Sequence, residues 1–185
     1  MPLIECTLIK GYSALSRRLV SERITDATCS AIGAGPDFVT VTIKEVDPDN
    51  YMRGRVNKPA AKAPDQADDI VSAYLTSLGE GDLKTASRFL SNSFEMICPG
   101  NIKFKTLVEF IDWTQNRYSN ILKTILSTNV SFCGLDSTVF CHGTLAGTWK
   151  NGDAFSDVRF IDRFDVSEGV INSHEIWNDL ILQDC

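Results

Sequence analysis

The first third of the chain alternates between short apolar runs and an apolar pattern with helical spacing. Leu3–Ile9 is a continuous run of apolar and β-branched residues, typical of a strand covered on both faces. Ser13 is a suitable N-cap for the helical pattern that follows, and residues 33–36, which begin and end with Gly and Pro, end it. Residues 38–46 give a second strand pattern. This order predicts a right-handed βαβ unit with parallel strands, too small to stand alone.

After the second strand pattern, the hydrophobic periodicity stops, and a different periodicity begins near residue 66. Residues 47–56 predict a turn and a short hairpin, and the small, polar, proline-bearing residues after them read as a linker. We therefore expect a first domain over residues 1–57, a linker over 58–65 and a second domain over 66–185.

The second domain is predicted to be α+β. Apolar residues at helical spacing indicate helices over residues 66–78, 83–90 and 107–118, with a short strand at 94–98. Four longer β runs, separated by short turns that favour antiparallel pairing, come last: residues 121–133, 138–149, 155–166 and 170–177. Helices followed by an antiparallel sheet form a layered α+β architecture.

Charge and composition exclude several classes of function. The chain has 185 residues and a net charge of −6, but residues 1–63 carry nine basic and seven acidic side chains and residues 64–185 nine and seventeen. The acidic second part argues against nucleic acid as a partner, and the mildly basic first part suits a small anionic substrate. No apolar stretch resembles a signal peptide or a membrane span, so a cytoplasmic protein without membrane contact is expected.

The cysteines and histidines do not indicate a metal centre. The six cysteines include no Cys-x-x-Cys pair and only two histidines are present, so neither structural zinc nor another cofactor is expected.

The second residue, Pro2, is the first candidate for chemistry. Proline carries its α-amine in a ring, and an α-amine titrates near neutrality, so it can act as a base where a lysine cannot. Removal of Met1 is a precondition, since acylation leaves the proline nitrogen no basic lone pair. The alternative is that a Met-Pro start carries no chemistry.

The first domain resembles the 4-oxalocrotonate tautomerase family. The likeness rests on Pro2 opening a strand, on Gly11 and Ser13 before the helix, and on the Pro-x-Asn-aromatic turn that ends at Tyr51. It implies an oligomer of βαβ subunits, often a hexamer, in which the N-terminal proline shuttles a proton on an enol or dienol substrate. Tyr51 matches the aromatic residue that lines the family's pocket.

Two positions depart from that family. Its tautomerases commonly carry arginines that grip substrate carboxylates after the first strand and within the second, where this sequence has Tyr12 and Thr40. Without two guanidinium groups, the usual dicarboxylate substrate loses its bidentate contacts. Arg53 and Arg55 in the hairpin either replace that charge from a neighbouring subunit or are solvated surface residues.

Residues 66–183 resemble the nuclear transport factor 2-like superfamily, in particular its SnoaL-like polyketide-cyclase branch. The stretches that carry the likeness are residues 74–82, 94–100 and 164–179. The resemblance implies a cone-shaped module, with helices packed on a curved antiparallel sheet around an apolar pocket. Isomerases, cyclases, dehydratases and non-catalytic binding domains use this pocket.

The alternation of side chains along its strand indicates that Asp162 faces the pocket of the second domain. It shares one side of its strand with four apolar residues, and a carboxylate there is expected to have a raised pKa, as suits a general acid or base. His142 or His174 would complete a proton-transfer pair, and Tyr74 and Trp177 are further candidates for the pocket. The alternative is that Asp162 pairs with a neighbouring arginine, Arg159 or Arg163.

Two functions remain open from the sequence. The first is tautomerase or isomerase chemistry on a small enolisable carbonyl compound, with Pro2 as base or acid, Tyr51 orienting the ligand and Arg53 or Arg55 holding an anionic group. The alternative is a non-catalytic oligomerisation module that carries a small-molecule-binding or cyclase-like pocket. Either way self-association as a hexamer or dimer is expected.

Overall fold

The computed structural model describes residues 1–180, which divide into two compact units, Met1–Ala63 and the residues from Pro64 onward. No helix among residues 1–180 is both long and apolar enough to cross a bilayer. The helices and strands of the first unit are β1 (Leu3–Ile9), α1 (Ala14–Ile32), β2 (Thr40–Val46), β3 (Met52–Arg53) and β4 (Val56–Asn57).

The first unit is the βαβ unit that the pattern predicts. β1 and β2 pair in parallel, with Leu3 opposite Thr40 at one end and Ile9 opposite Val46 at the other. The Ser13 hydroxyl accepts a hydrogen bond from the amide of Ser16 and caps α1. β2 begins two residues later than predicted, because Pro36–Phe38 forms a 3₁₀ turn.

This first unit does not close a core of its own. None of the residues of α1 is buried, and several apolar side chains of the unit are largely exposed. Among the most exposed are Leu3, Leu15, Phe38 and Met52. A single helix on a two-stranded sheet covers only one side of that sheet, so apolar surface is left for association.

The second unit is an open six-stranded sheet with helices packed against it. The sheet order is β6-β5-β10-β9-β8-β7, and all neighbours are antiparallel except β10 and β5. The elements are α2 (Ala67–Gly79), α3 (Leu83–Ala86), β5 (Leu90–Cys98), β6 (Ile102–Phe104), α4 (Leu107–Arg117), β7 (Tyr118–Cys133), β8 (Asp136–Trp149), β9 (Ala154–Ser167) and β10 (Val170–Asn178).

The structure corrects the predicted elements around residue 90. The predicted helix over 83–90 is only four residues of α3 followed by a 3₁₀ turn, because β5 already begins at Leu90, which pairs with Ile171 of β10. β6 was not predicted, since three residues carry too little pattern. α4 ends at Arg117, and Tyr118 opens β7.

The apolar core of the second unit is split into two clusters. Along the inward face of β9, Phe164 belongs to the cluster beneath the helices, and Phe160 belongs to a second cluster that includes Tyr118 and Leu145. Asp162 lies between these two phenylalanines and is fully buried. The sheet therefore carries a charged side chain at the point where its apolar core is interrupted.

Candidate active sites in the two units

Pro2 is held at the amino end of both strands of the first unit. Its carbonyl oxygen accepts a hydrogen bond of 3.0 Å from the amide of Thr40. Thr40, one of the sequence candidates, therefore lies beside Pro2. Since Met1 is present in the chain, the Pro2 nitrogen is an amide nitrogen here and becomes an amine only when Met1 is removed.

The hairpin residues lie at the other end of the strands. The amide of Lys58 donates to the carbonyl oxygen of Tyr51 over 3.2 Å, and a Cβ added to Gly11 would lie 3.1 Å from the Cβ of Ala60. The hairpin and the segment after it therefore lie near the end of β1. Within the hairpin, the Arg53 guanidinium donates to the Tyr51 hydroxyl over 3.3 Å.

The length of β1 separates these two groups. A seven-residue strand spans about 20 Å at ~3.3 Å per residue. Pro2 at one end and the Tyr51–Arg53 pair at the other are therefore too far apart to contact one small molecule within a single chain.

The remaining candidates of the first unit have local roles. The Tyr12 hydroxyl accepts a hydrogen bond of 3.3 Å from the amide of Ala61, so it holds the segment after the hairpin. Arg55 lies exposed at the hairpin turn, with a φ of 66°. Arg17, which the sequence did not nominate, donates to the Tyr12 carbonyl oxygen over 2.6 Å and to Glu45 over 3.2 Å.

The second unit contains a connected polar network in its interior. The Lys123 ammonium contacts Oδ2 of Asp162, and Nε2 of His174 lies 3.2 Å from the same oxygen. That second contact has the distance of a hydrogen bond but not its alignment, so we treat it as a close polar contact. On the other side of the imidazole, Nδ1 lies 3.3 Å from the Tyr74 hydroxyl.

Sheet register brings these residues together. Asp162 on β9 lies opposite Ile176 on β10, and His174 is two positions from Ile176 on the same face. Asp162 and His174 are therefore diagonal neighbours in the sheet. The His174 ring stacks on Phe164 with centroids 4.2 Å apart, and this packing fixes its orientation.

The pKa of Asp162 is lowered, and the expectation that it is raised was wrong. Burial by itself raises this pKa, but the Lys123 ammonium and the His174 ring together lower it by more. Asp162 is thus a carboxylate at neutral pH.

Its neighbours are held in their neutral forms. Burial lowers the pKa of His174 and outweighs the opposing effect of Asp162, so the imidazole is neutral at pH 7. Burial and the Asp162 charge raise the pKa of Tyr74. Burial also raises the pKa of the nearby Cys98 thiol to about 12, which leaves it no nucleophilic character at neutral pH.

Two sequence candidates lie on the opposite face of the sheet. His142 is exposed because it alternates with the buried Cys141 on β8. Trp177 is 46% exposed and pairs with Ile161, which also pairs with His142. Neither His142 nor Trp177 therefore shares the interior with Asp162.

The proposed arginine partners of Asp162 are engaged elsewhere. Arg163 contacts Glu175 at 2.5 Å and Asp165 at 2.7 Å, and Arg159 contacts Asp179 at 2.7 Å. The partner is Lys123, which the sequence analysis missed. Register shifts near residues 118–120 and 125–127 of β7 decide which of its residues point inward, and no sequence signal revealed them.

Metal chemistry has no ligand set in the part of the chain that the structure describes. Among residues 1–180, no three His, Cys, Asp or Glu side chains lie close enough to share a metal ion.

Comparison with known proteins gives a different match for each unit. The family described as "Tautomerase enzyme" matches residues 2–58. A probable tautomerase from Ralstonia nicotianae is 36% identical over 64 residues, which are 35% of this chain and 91% of the relative.

Solved structures match by fold over 63% of this chain. An NTF2-like protein of unknown function from Burkholderia pseudomallei is 13% identical, with a TM-score of 0.53 and 92% of its own chain covered. An NTF2-like protein from Burkholderia thailandensis is 17% identical, with the same TM-score and 92% of its chain covered. A structure of TerC co-crystallised with polyporic acid is 13% identical at a TM-score of 0.53, over 94% of its chain. The chain therefore belongs to the tautomerase family through its N-terminal unit and continues into a second unit with the NTF2-like fold.

Proposed function

We propose that this protein is a tautomerase-type isomerase that moves a proton on a small enolisable carbonyl compound through the amine of Pro2. The observation that carries the proposal is the position of Pro2 in a tautomerase-family unit, at the amino end of β1, where the amide of Thr40 anchors it. Removal of Met1 converts its nitrogen into a cyclic secondary amine on a fixed backbone.

The chemistry needs one group that both accepts and returns a proton. An α-amine has a pKa near 8, so both of its forms are populated close to neutral pH. The neutral amine of Pro2 takes the proton of the enol O–H as the carbonyl forms, and the resulting ammonium returns a proton to the adjacent carbon. The enol thus becomes the ketone, and the amine is regenerated.

The rest of the site comes from a neighbouring subunit in this proposal. Within one chain, Pro2 and the hairpin of Tyr51 and Arg53 lie at opposite ends of β1, a strand of about 20 Å, and the first unit leaves apolar surface exposed for association. In a hexamer or dimer, the hairpin of one subunit approaches Pro2 of another. Arg53 or Arg55 then holds an anionic group of the substrate, and Tyr51 orients its enol.

The substrate in this proposal carries one anionic group rather than two. Tyr12 and Thr40 occupy the positions where the resemblance places arginines, and the Tyr12 hydroxyl is bonded to the backbone of Ala61. The hairpin arginines supply a single cationic region, which suits a monocarboxylate such as an arylpyruvate.

The proposal is tested by measuring the enol-to-keto conversion of phenylpyruvate. The protein used is a sample whose intact mass shows that Met1 is absent. Pro2→Ala is expected to lower kcat/KM by at least a hundredfold, and the matched control Pro64→Ala, at an exposed proline outside the unit's strands, retains the wild-type value. An active protein that keeps Met1, or an unchanged rate in Pro2→Ala, would contradict the mechanism.

A second candidate function is favoured by the interior network of the second unit. Buried polar side chains, Asp162 and His174, lie between two apolar clusters of the second unit, and they suit a ligand-binding module in a chain whose first unit serves only in self-association. Native mass spectrometry of the full chain reports the number of subunits and any retained ligand together.

A further inference from the structure

The six-stranded sheet of the second unit ends on a long strand that is paired on one side. β7 spans 16 residues, and among residues 1–180 it pairs with β8 and with no other strand. In an antiparallel pair, alternate residues direct both their N–H and C=O groups toward the neighbouring strand, and the residues between them direct theirs away. About half of the backbone groups of β7 therefore point away from β8, along a side to which another strand can pair.

The two edges of this sheet differ in length and in charge. The opposite edge is β6, which has three residues, and its Lys103 side chain is 49% exposed. A second lysine, Lys105, follows directly. Short strands and lysines are features by which soluble proteins keep a sheet edge from pairing with another chain. β7 is long, contains no proline, and has Lys123 as its one charged residue, so it lacks this protection.

The charge of Lys123 does not protect the edge either. Its ammonium contacts the carboxylate of Asp162, which is fully buried. The lysine is therefore turned toward the interior of the unit, and its charge is balanced there. Two copies of β7 can lie side by side without repulsion between unpaired like charges.

Exposed apolar side chains lie along the same edge strand. Ile121 and Ile125 are 43% and 41% exposed, and Leu122 and Leu126 are each 67% exposed. Ile121 and Leu122 are consecutive, so they lie on opposite faces of the sheet. A strand added beside β7 would cover apolar surface on both faces, and apolar pairs across neighbouring strands stabilise a sheet.

The unpaired backbone and the absence of free charge specify the partner. It is a β-strand that is apolar and carries no unbalanced charge, and β7 of a second copy meets both requirements. Identical strands that pair antiparallel about a two-fold axis form a self-complementary contact. Register shifts interrupt the pairing of β7 with β8 between Tyr118 and Asn120 and between Ile125 and Ser127, so the regular stretch of the strand is Asn120–Ile125.

We infer that the second unit associates with a second copy of itself through β7, by antiparallel pairing over Asn120–Ile125. The two six-stranded sheets then join into one continuous sheet. A two-fold axis perpendicular to that sheet keeps the inner face of each copy on the same side. Ile121 and Ile125 are then covered on the inner face and Leu122 on the outer one. This contact is separate from Pro2 and does not depend on the chemistry proposed there.

Hydrogen–deuterium exchange of the full-length protein tests the inference, measured by mass spectrometry on peptides from residues 118–133. Amides of an unpaired edge that point away from β8 exchange rapidly, whereas strand pairing protects them. We expect these amides to exchange about tenfold or more slowly in the oligomer than after dilution to the monomer. Native mass spectrometry at each concentration reports which species is present.

Charged substitutions on the edge separate this pairing from other contacts of the chain. Leu122→Lys places a lysine on an exposed position of β7, and the two-fold axis brings two such lysines together, so the protection is expected to be lost. Thr124→Lys, at another exposed position of the same stretch, is the second variant. Leu135→Lys is the matched control, because Leu135 is 86% exposed but lies in the turn after β7, and it is expected to keep the protection.

Three results would overturn the inference. They are rapid exchange of the β7 amides at every concentration, protection that persists when native mass spectrometry shows only monomers, and wild-type protection in both folded lysine variants of β7. Loss of phenylpyruvate turnover in Pro2→Ala has no bearing on any of them.

Discussion

The imidazole of His174 and the carboxylate of Asp162 approach to 3.2 Å, Nε2 to Oδ2, and both are shielded from solvent by the core of the second unit. Burial raises the pKa of Asp162, but Lys123 and His174 lower it by more, so the carboxylate is charged. Burial lowers the pKa of His174 by more than Asp162 raises it, so the imidazole is neutral. This arrangement makes the unit sensitive to acid.

The first prediction concerns stability between pH 7.5 and 5. Burial lowers the pKa of His174 in the folded state below its unfolded value of about 6.5. As the pH falls through that value, the unfolded chain takes up a proton that the folded chain does not, so the free energy of unfolding decreases. Urea denaturation followed by tryptophan fluorescence at several pH values measures this decrease.

The two histidines provide the control for this prediction. His174→Gln is expected to flatten the dependence between pH 7.5 and 5, whereas His142→Gln, at the exposed position on the other face of the sheet, is expected to leave it unchanged. Asp162 contributes only at lower pH, because its depressed pKa gives stability that is present above about 3.9 and is lost below it. An unaltered profile in His174→Gln would contradict the assignment.

The second prediction concerns the partner of Asp162. Lys123→Met leaves a fully buried carboxylate without its cation and is expected to lower the free energy of unfolding by about 3 kcal/mol. Adding Asp162→Leu removes the stranded charge and should restore stability to within about 1 kcal/mol of wild type. Chemical denaturation measures both, and Lys150→Met at an exposed position is the control. Additive losses in the double variant would show that the two charges do not stabilise each other.

The third prediction concerns the close approach of β7 and β8. A Cβ at Gly143 of β8 would lie 1.9 Å from the backbone oxygen of Thr124 of β7. The two strands could relieve this clash only by moving apart, which would break their pairing. Gly143→Ala is therefore expected to destabilise the unit by about 3 kcal/mol or more. Gly79→Ala, at the end of α2 with no atom near the new methyl group, is expected to be neutral or slightly stabilising. Thermal unfolding compares the two, and similar melting temperatures would contradict the prediction.

The fourth prediction concerns the shared site of the first unit. If Pro2 works with the hairpin of another subunit, Pro2→Ala and Arg53→Ala chains are each impaired, but each supplies what the other lacks. Unfolding and refolding a one-to-one mixture should restore roughly a quarter of the sites, since subunits assort at random in a symmetric oligomer. Phenylpyruvate turnover measures the recovery.

Native mass spectrometry of the same mixture provides the control. If mixed oligomers are present but turnover stays at the level of the separate variants, Pro2 and Arg53 do not act at a common site.

Local patterns were sufficient for the first unit and for the inward position of Asp162. The apolar run of β1, the helix cap at Ser13 and the end of α1 at Gly33 each depend on residues only a few positions away. The sequence alone therefore predicted the βαβ unit. Alternation on β9 is also local, because consecutive side chains of a strand point to opposite faces.

Only the tertiary structure showed which side chains contact Asp162 and which side chains lie too far from Pro2 to share a site with it in one chain. Alternation shows that His174 and Glu175 face opposite ways, but only the pairing of β10 with β9 shows which of them lies inside. The register shifts of β7 turn Lys123 inward, and they depend on pairing with β8 rather than on local preference. The parallel pairing of β1 and β2 likewise separates Pro2 from Tyr51 by the length of a strand. Such pairings join residues far apart in the chain, and that is why the sequence could name the candidate side chains but not their partners.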